Sequence, residues 1–169
     1  MPGSLSHLTR RFFDVLLSKP LTVDEADTVR KWLKPPEAAV VFFSQTDPDQ
    51  RHGYHAALVV IDAGAVDVAI VRAALLHDVG KRNARLGLIG RSLASVLIRL
   101  RLPLTQRARL YRDHGEIGAE ELARIGCEAL VVDFARHHHG ERPVSISPHL
   151  WEMLQLADQP PKTGSRVGA

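Results

Sequence analysis

The apolar positions of this chain recur at helical rather than strand spacing almost throughout. Over residues 68–76 nearly every side chain is aliphatic, which predicts a helix buried on several faces rather than one with a single inward stripe. Residues 50–63 read as a long apolar helix carrying His52 and His55, stopped by Gly64, and Asp67 stands where it caps the next helix. Upstream, residues 5–18 carry helical spacing around Leu8, Phe12, Phe13, Val15 and Leu16. Thr22-Val23-Asp24-Glu25 is a capping-box sequence for a helix that runs to about Leu33, where Pro35 and Pro36 stop it. A short helix is expected over 38–43, and Asp47-Pro48 marks another helix start.

Downstream, the pattern predicts helices over 90–102, ended by Pro103, over 105–112, over 114–125, ended by Gly126, and over 129–138. Ser147-Pro148 opens a last helix reaching about Asp158, before Pro160-Pro161. Only 40–43 and 130–132 are β-branched enough to compete for strand, and no stretch alternates with period two. The expected fold is all-α: a single-domain helical bundle over 49–160, an N-terminal helical extension over 1–48 and a disordered tail over 161–169.

Composition leaves that picture intact. A chain of 169 residues can bury a substantial core in one domain, and 45% hydrophobic with 24% charged residues is ordinary for a globular protein. A single cysteine, Cys127, excludes an internal disulfide and suits a reducing compartment. Residues 1–11 contain no apolar core followed by a small-residue cleavage site, so no signal peptide is expected and the expected location is cytoplasmic. The most apolar later run, 86–102, is interrupted by Arg91, Arg99 and Arg101 and makes a poor membrane span.

Charge does change the picture. The formal net charge of +3 is mild, yet nine basic residues stand between Lys81 and Arg112 with no Asp or Glu among them. Such a run concentrates anions: a phosphate-bearing substrate, a nucleic acid or an anionic membrane surface. The plainer alternative is a solvated face balanced by acids elsewhere. Tyr111 is the one aromatic in the run, which weighs against base stacking along a single strand.

Chemistry concentrates where the buried helix ends. His77 and Asp78 follow its last aliphatic residue, and a carboxylate in such surroundings costs several kcal/mol unless a counter-charge or metal compensates it. His52 lies one helix earlier, so an antiparallel neighbour can return its imidazole to the same end. Asp158, flanked by Leu156 and Ala157, is another carboxylate in need of a partner. Imidazole and carboxylate together suit a hard or borderline divalent cation.

His77-Asp78-x-Gly-Lys resembles the signature of the HD superfamily of metal-dependent phosphohydrolases, and His52, His77-Asp78 and Asp158 occupy that family's His…His-Asp…Asp order. The segment from His114 through Gly115-Glu116-Ile117-Gly118 resembles the one that carries an additional metal histidine in binuclear members. Phe134-Ala135-Arg136-His137-His138-His139 resembles their paired-histidine segment, with His138 and His139 aligned to the pair. The resemblance spans residues 50–159. It implies an HD domain holding one or two divalent ions (Mn, Fe, Ni, Co, Zn or Mg) through His52, His77, Asp78, His114, His138 and Asp158, with Asp78 bridging. His137 or His139 stays open as a substitute for His138, and His55 for His52.

The activity so implied is hydrolysis of a phosphate mono- or diester of a nucleotide or similar small metabolite by metal-activated water. Asp78 and Lys81 are then the catalytic residues, with Lys81 meeting the phosphate. Arg82 and Arg85 are candidates for further phosphate contacts, or plain solvated arginines. His139 is followed by Gly140-Glu141-Arg142-Pro143, not by the Gly-Tyr-Pro motif of members that cleave cyclic di-GMP, which points to a smaller substrate. Two other classes stay open: a non-catalytic, nucleotide-binding regulatory HD domain, and an interaction protein that applies the basic run to nucleic acid or an anionic membrane. Oligomeric state is not legible at this level.

Overall fold

In the computed structural model, which describes residues 19–159, nine α-helices and one 3-10 turn follow one another, and no strand occurs among those residues. They are α1 (Val23–Trp32), α2 (Pro36–Phe43), α3 (Asp47–Asp62), α4 (Val68–Leu76), the 3-10 turn (Val79–Ala84), α5 (Leu88–Arg99), α6 (Gln106–Arg112), α7 (His114–Arg124), α8 (Ala129–His137) and α9 (Pro148–Ala157). The helix expected over 5–18 and the tail expected over 161–169 lie outside the described residues.

Local chemistry sets most helix ends. Thr22 and Glu25 close the capping box of α1, with the Thr22 N–H donating to Glu25 Oε2 at 2.7 Å. Proline stands in the first turn of α2, α3 and α9, where its missing N–H is harmless. Gly64 and Gly126 follow α3 and α7 at φ 87° and 84°, a conformation that other residues adopt only at a cost. The two β-branched stretches are helical, within α2 and α8. Burial overrides their strand preference, because Val41, Phe42 and Val131 enter the core from helical positions.

The core forms around α4. Val71, Ala73, Ala74, Leu75 and Leu76 are all buried, as the aliphatic run interrupted only by Arg72 requires. Helices α3, α8 and α9 pack against α4, with α1 also in contact. At the crossing with α3 the backbones come so close that a Cβ on Gly53 would stand 2.7 Å from the Leu75 carbonyl oxygen. Val29, Leu33, Ala38, Val41 and Phe42 join the same buried cluster, so α1 and α2 share one core with the helices after them. Helix α5 is different: it buries only Ala94 and rests on α6 at the edge of the bundle.

One surface tie fastens the start of α1 to α3. The Arg51 guanidinium reaches Glu25 Oε1 and Oε2 at 2.7 and 2.8 Å and the Lys19 and Pro20 carbonyls at 3.0 and 2.6 Å. These hydrogen bonds from Arg51, opposed by partial burial and helped by Thr22, hold Glu25 down at about 2 against an ordinary 4.5. A depressed carboxylate stabilises the fold fully above its unfolded value and loses that contribution as pH falls towards about 2. Glu25→Gln is therefore expected to lower the melting temperature at neutral pH by about 2–4 °C, the effect of one partly exposed pair in a chain of this size. Melts recorded from neutral pH downward should show that difference shrinking below pH ~4.5 and vanishing only as pH approaches about 2.

Candidate metal centre

Helix α4 ends inside the protein. His77 is its C-cap, and Asp78 sits in the bend that follows at φ −103° and ψ 5°, before the 3-10 turn begins. Both side chains are buried, as are Lys81, His114 and His138. A core this polar has to be internally compensated.

The two carboxylate oxygens of Asp78 face different partners. Oδ1 lies 3.2 Å from His114 Nε2 and 3.4 Å from His138 Nε2. Oδ2 lies 3.3 Å from His77 Nε2 and 3.7 Å from His52 Nε2. Asp158 Oδ1 completes the second set, 2.9 Å from His77 Nε2 and 3.1 Å from His52 Nε2. Two overlapping groups result, Asp78 with His114, His138 and His139, and Asp78 with His52, His77 and Asp158, each able to offer ligand atoms within 4.8 Å of one another.

Backbone carbonyls decide which ring nitrogen faces the centre. His77 Nδ1 meets the Ala74 carbonyl at 2.9 Å, His114 Nδ1 that of Tyr111 at 2.6 Å, and His138 Nδ1 that of Ala135 at 2.8 Å. A carbonyl only accepts, so each Nδ1 carries the proton and, in a neutral ring, leaves a lone pair on Nε2. This is the orientation that metal-bound histidines usually take. In the first group the result is a conflict that protein atoms do not resolve: Asp78 Oδ1, His114 Nε2 and His138 Nε2 are buried, mutually close and without a hydrogen-bond partner. A divalent cation placed between them would satisfy all three converging acceptors at once, so the residues fit such a metal by their own geometry.

The electrostatics agree. Burial alone would raise Asp78, but the nearby charges of Lys81 and His77 hold it well below the carboxylate range. Asp158 is likewise opposed by burial and held low, chiefly by His77. Burial works against a charged His77, yet Asp78 and Asp158 overcome it and push the ring up to about 10. With its Nδ1 on a carbonyl, His77 is then a double donor, and a cation bound between the carboxylates would stand in for the Nε2 proton. Burial lowers His138 despite the pull of Asp78, which keeps that ring neutral.

Other expected site residues divide. Lys81, on the 3-10 turn, is ion-paired with Asp78 Oδ2 inside the centre. Arg82 turns to α7, where it pairs with Glu121, and to the Val79 carbonyl at 3.0 Å. Arg85 is exposed just past the turn and makes no hydrogen bond or ion pair to a residue of either group. His52 rather than His55 reaches the centre, and His138 and His139 rather than His137.

Some contributors gave no sequence signal. The carbonyls that orient the imidazoles belong to Ala74, Tyr111 and Ala135, residues whose side chains say nothing of the role. Asp49, buried one turn before His52, receives a bidentate contact from Arg91 at 2.5 and 2.7 Å. Beside His138 and His139 opens a cleft of about 460 Å³ whose walls include Arg112, Arg136, Glu116 and Ile117. The triple histidine was the available pointer to it.

Compared with protein-family models, with curated proteins and with solved structures, the chain has no match. No helix among the described residues is long and apolar enough to cross a membrane.

Proposed function

We propose that this protein is a metal-dependent phosphohydrolase of the HD type, acting on a phosphate mono- or diester of a nucleotide or similar small metabolite. The observation that carries this reading is the sharing of Asp78: each of its oxygens faces its own pair of imidazoles, the arrangement expected of a carboxylate serving two adjacent cations. His52, His77 and Asp158 would hold one ion with Asp78, and His114, His138 and His139 the other. A divalent cation there supplies Lewis acidity towards a phosphoryl oxygen and an acidified water as nucleophile.

The chain's own residues supply the rest. Burial opposes the charge on Lys81, but Asp78 outweighs it and raises the ammonium, so a buried proton-bearing cation stands beside the centre. It is positioned to offset the charge that builds on phosphoryl oxygens. Arg112 and Arg136, ion-paired with Asp113 and Glu116, stand at the cleft that leads to His138 and His139, where a second anionic group of the substrate would exchange for those carboxylates. The size of that cleft favours a small ester over a polymer.

The test is elemental analysis of the purified full chain combined with a phosphatase and phosphodiesterase panel. Close to two equivalents of divalent metal are expected, with turnover on at least one small phosphate ester. His52→Ala is expected to remove about one equivalent and to lower kcat by at least ~100-fold, in keeping with loss of a direct ligand. A chain that loads metal fully but leaves every ester intact would be a nucleotide-binding regulatory domain instead.

A further inference from the structure

Helix α5 turns an apolar stripe to solvent. Ile89, Leu93, Val96 and Leu100 recur at spacings of four, three and four, so they share one side of the helix, and they are 76%, 58%, 39% and 60% exposed. Leu102, just beyond, is 46% exposed. Other exposed aliphatics, such as Val23, Val40 and Val144, are isolated along the chain and form no such row. On the opposite side of α5, Arg91 grips Asp49 of α3, so the stripe belongs to a helix tied to the one that carries His52.

Around the stripe the surface is cationic. Arg99, Arg101, Arg107 and Arg109 are exposed and form no ion pair among the described residues. The backbone makes two of the basic positions more telling. Four described residues have left-handed φ: Gly64 and Gly126, and then Arg85 (48°) and Arg101 (54°), which bracket α5. Arg101 closes α5 in the turn where the Leu102 N–H donates to the Leu97 carbonyl at 3.0 Å, a position that glycine fills without strain. Elsewhere the chain uses glycine for this conformation. Here it carries a cation at a conformational cost, and such outliers cluster where a surface has work to do.

We propose that the outer face of α5, with the arginines at its C-terminal end and on α6, docks on an anionic lipid bilayer. The helix lies in the interface with its aliphatic row among the acyl chains and its guanidinium groups on the lipid phosphates. Charge complementarity selects this occupant. Two copies of the face brought together would oppose arginine to arginine, and a nucleic acid would leave the aliphatic row in water. The inference stands apart from the metal chemistry and does not depend on it.

Flotation of the full chain with phosphatidylcholine vesicles, with and without about 30 mol% phosphatidylserine, tests it. Association with the anionic vesicles, reversed by high salt, is expected, and little with phosphatidylcholine alone. Leu93→Gln with Leu100→Gln should lower partitioning by about ten-fold or more without touching charge. Arg101→Gly should lower it about five-fold while leaving the melting temperature unchanged or raised, because the strained residue is gone. A merely structural arginine would give the opposite melting result.

Failure of the wild type to associate at low salt would overturn the proposal, as would undiminished partitioning of both variants. So would concentration-dependent dimerisation that Leu93→Gln with Leu100→Gln abolishes, since the stripe would then be a self-interface. Binding to duplex DNA or RNA that falls with Arg101→Gly but not with the leucine pair would also overturn it. Metal content equal to wild type in every variant confirms that the centre is intact.

Discussion

Asp78→Ala is expected to strip the protein of bound divalent metal and to abolish any turnover that depends on it. Asp78 is the only residue common to both ligand groups, so its removal affects both at once. What remains is His114, His138 and His139 on one side and His52, His77 and Asp158 on the other, each short of its shared anion. A fall in metal affinity beyond the ~10–100-fold typical of altering a partner outside the ligand set is anticipated.

The same substitution acts on stability without any metal. Lys81 loses its carboxylate and stays buried, and His77 loses one of the two anions that keep it charged. Removing one partner of a buried pair costs about 3–5 kcal/mol. Urea denaturation of wild type and variant, each with and without a chelator, separates the two effects. The chelator should destabilise wild type and leave Asp78→Ala unmoved. Equal metal content in the two proteins would sink the metal reading altogether.

Gly80→Ala should be the most damaging glycine-to-alanine change among the described residues. A Cβ at Gly80 would stand 1.9 Å from the His114 carbonyl oxygen and 2.8 Å from the Gly118 nitrogen. Both obstacles are backbone atoms of α7, so no side chain can swing aside. The 3-10 turn would have to retreat from α7, taking Lys81 and Asp78 away from His114. A loss of more than about 4 kcal/mol is expected, beyond ordinary overpacking. Gly118→Ala meets milder contacts, 3.0 Å to the Gly80 nitrogen and 3.4 Å to its Cα, and should cost about 1–3 kcal/mol. Denaturation curves give both values directly, and a Gly80→Ala loss under ~1 kcal/mol would show that the turn is not pinned.

The glycine in His77-Asp78-x-Gly-Lys therefore has a packing reason specific to this chain. It lets the turn that carries the centre's anion and ammonium press against the helix that carries His114. This close approach also explains why the helix expected to deliver His77 and Asp78 does so at its end and then tightens into a 3-10 turn, a change that no periodicity announces.

Much else was legible in residue order. Caps at Thr22, Asp67 and Ser147 each accept a backbone N–H in the first turn, because a short oxygen-bearing side chain there meets an orphaned donor whatever the surroundings. Local rules of this kind need only neighbouring residues. The aliphatic run from Val68 to Leu76, interrupted only by Arg72, likewise required most of α4 to be enclosed, since that much apolar surface is costly in water. The all-α class followed from the helical spacing of the apolar positions and the lack of any stretch alternating with period two.

Choices among equivalent residues did not follow. His52 and His55 share a helix face closely enough that sequence left both open, and so did His137, His138 and His139. The crossing of α3 over α4 at Gly53 and the turn after α8 selected among them, because an imidazole reaches a common point only if its helix is rotated and placed to aim there. Arg82 and Arg85 illustrate the same limit: residue order leaves them as phosphate contacts or plain solvated arginines, and packing pairs the first with Glu121 and exposes the second. Residue types, caps and the apolar period are properties of the chain taken a few positions at a time. The meeting of Asp78 with four imidazoles drawn from α3, α4, α7 and α8 is a property of helix packing, and it exists only once the core has set every helix in place.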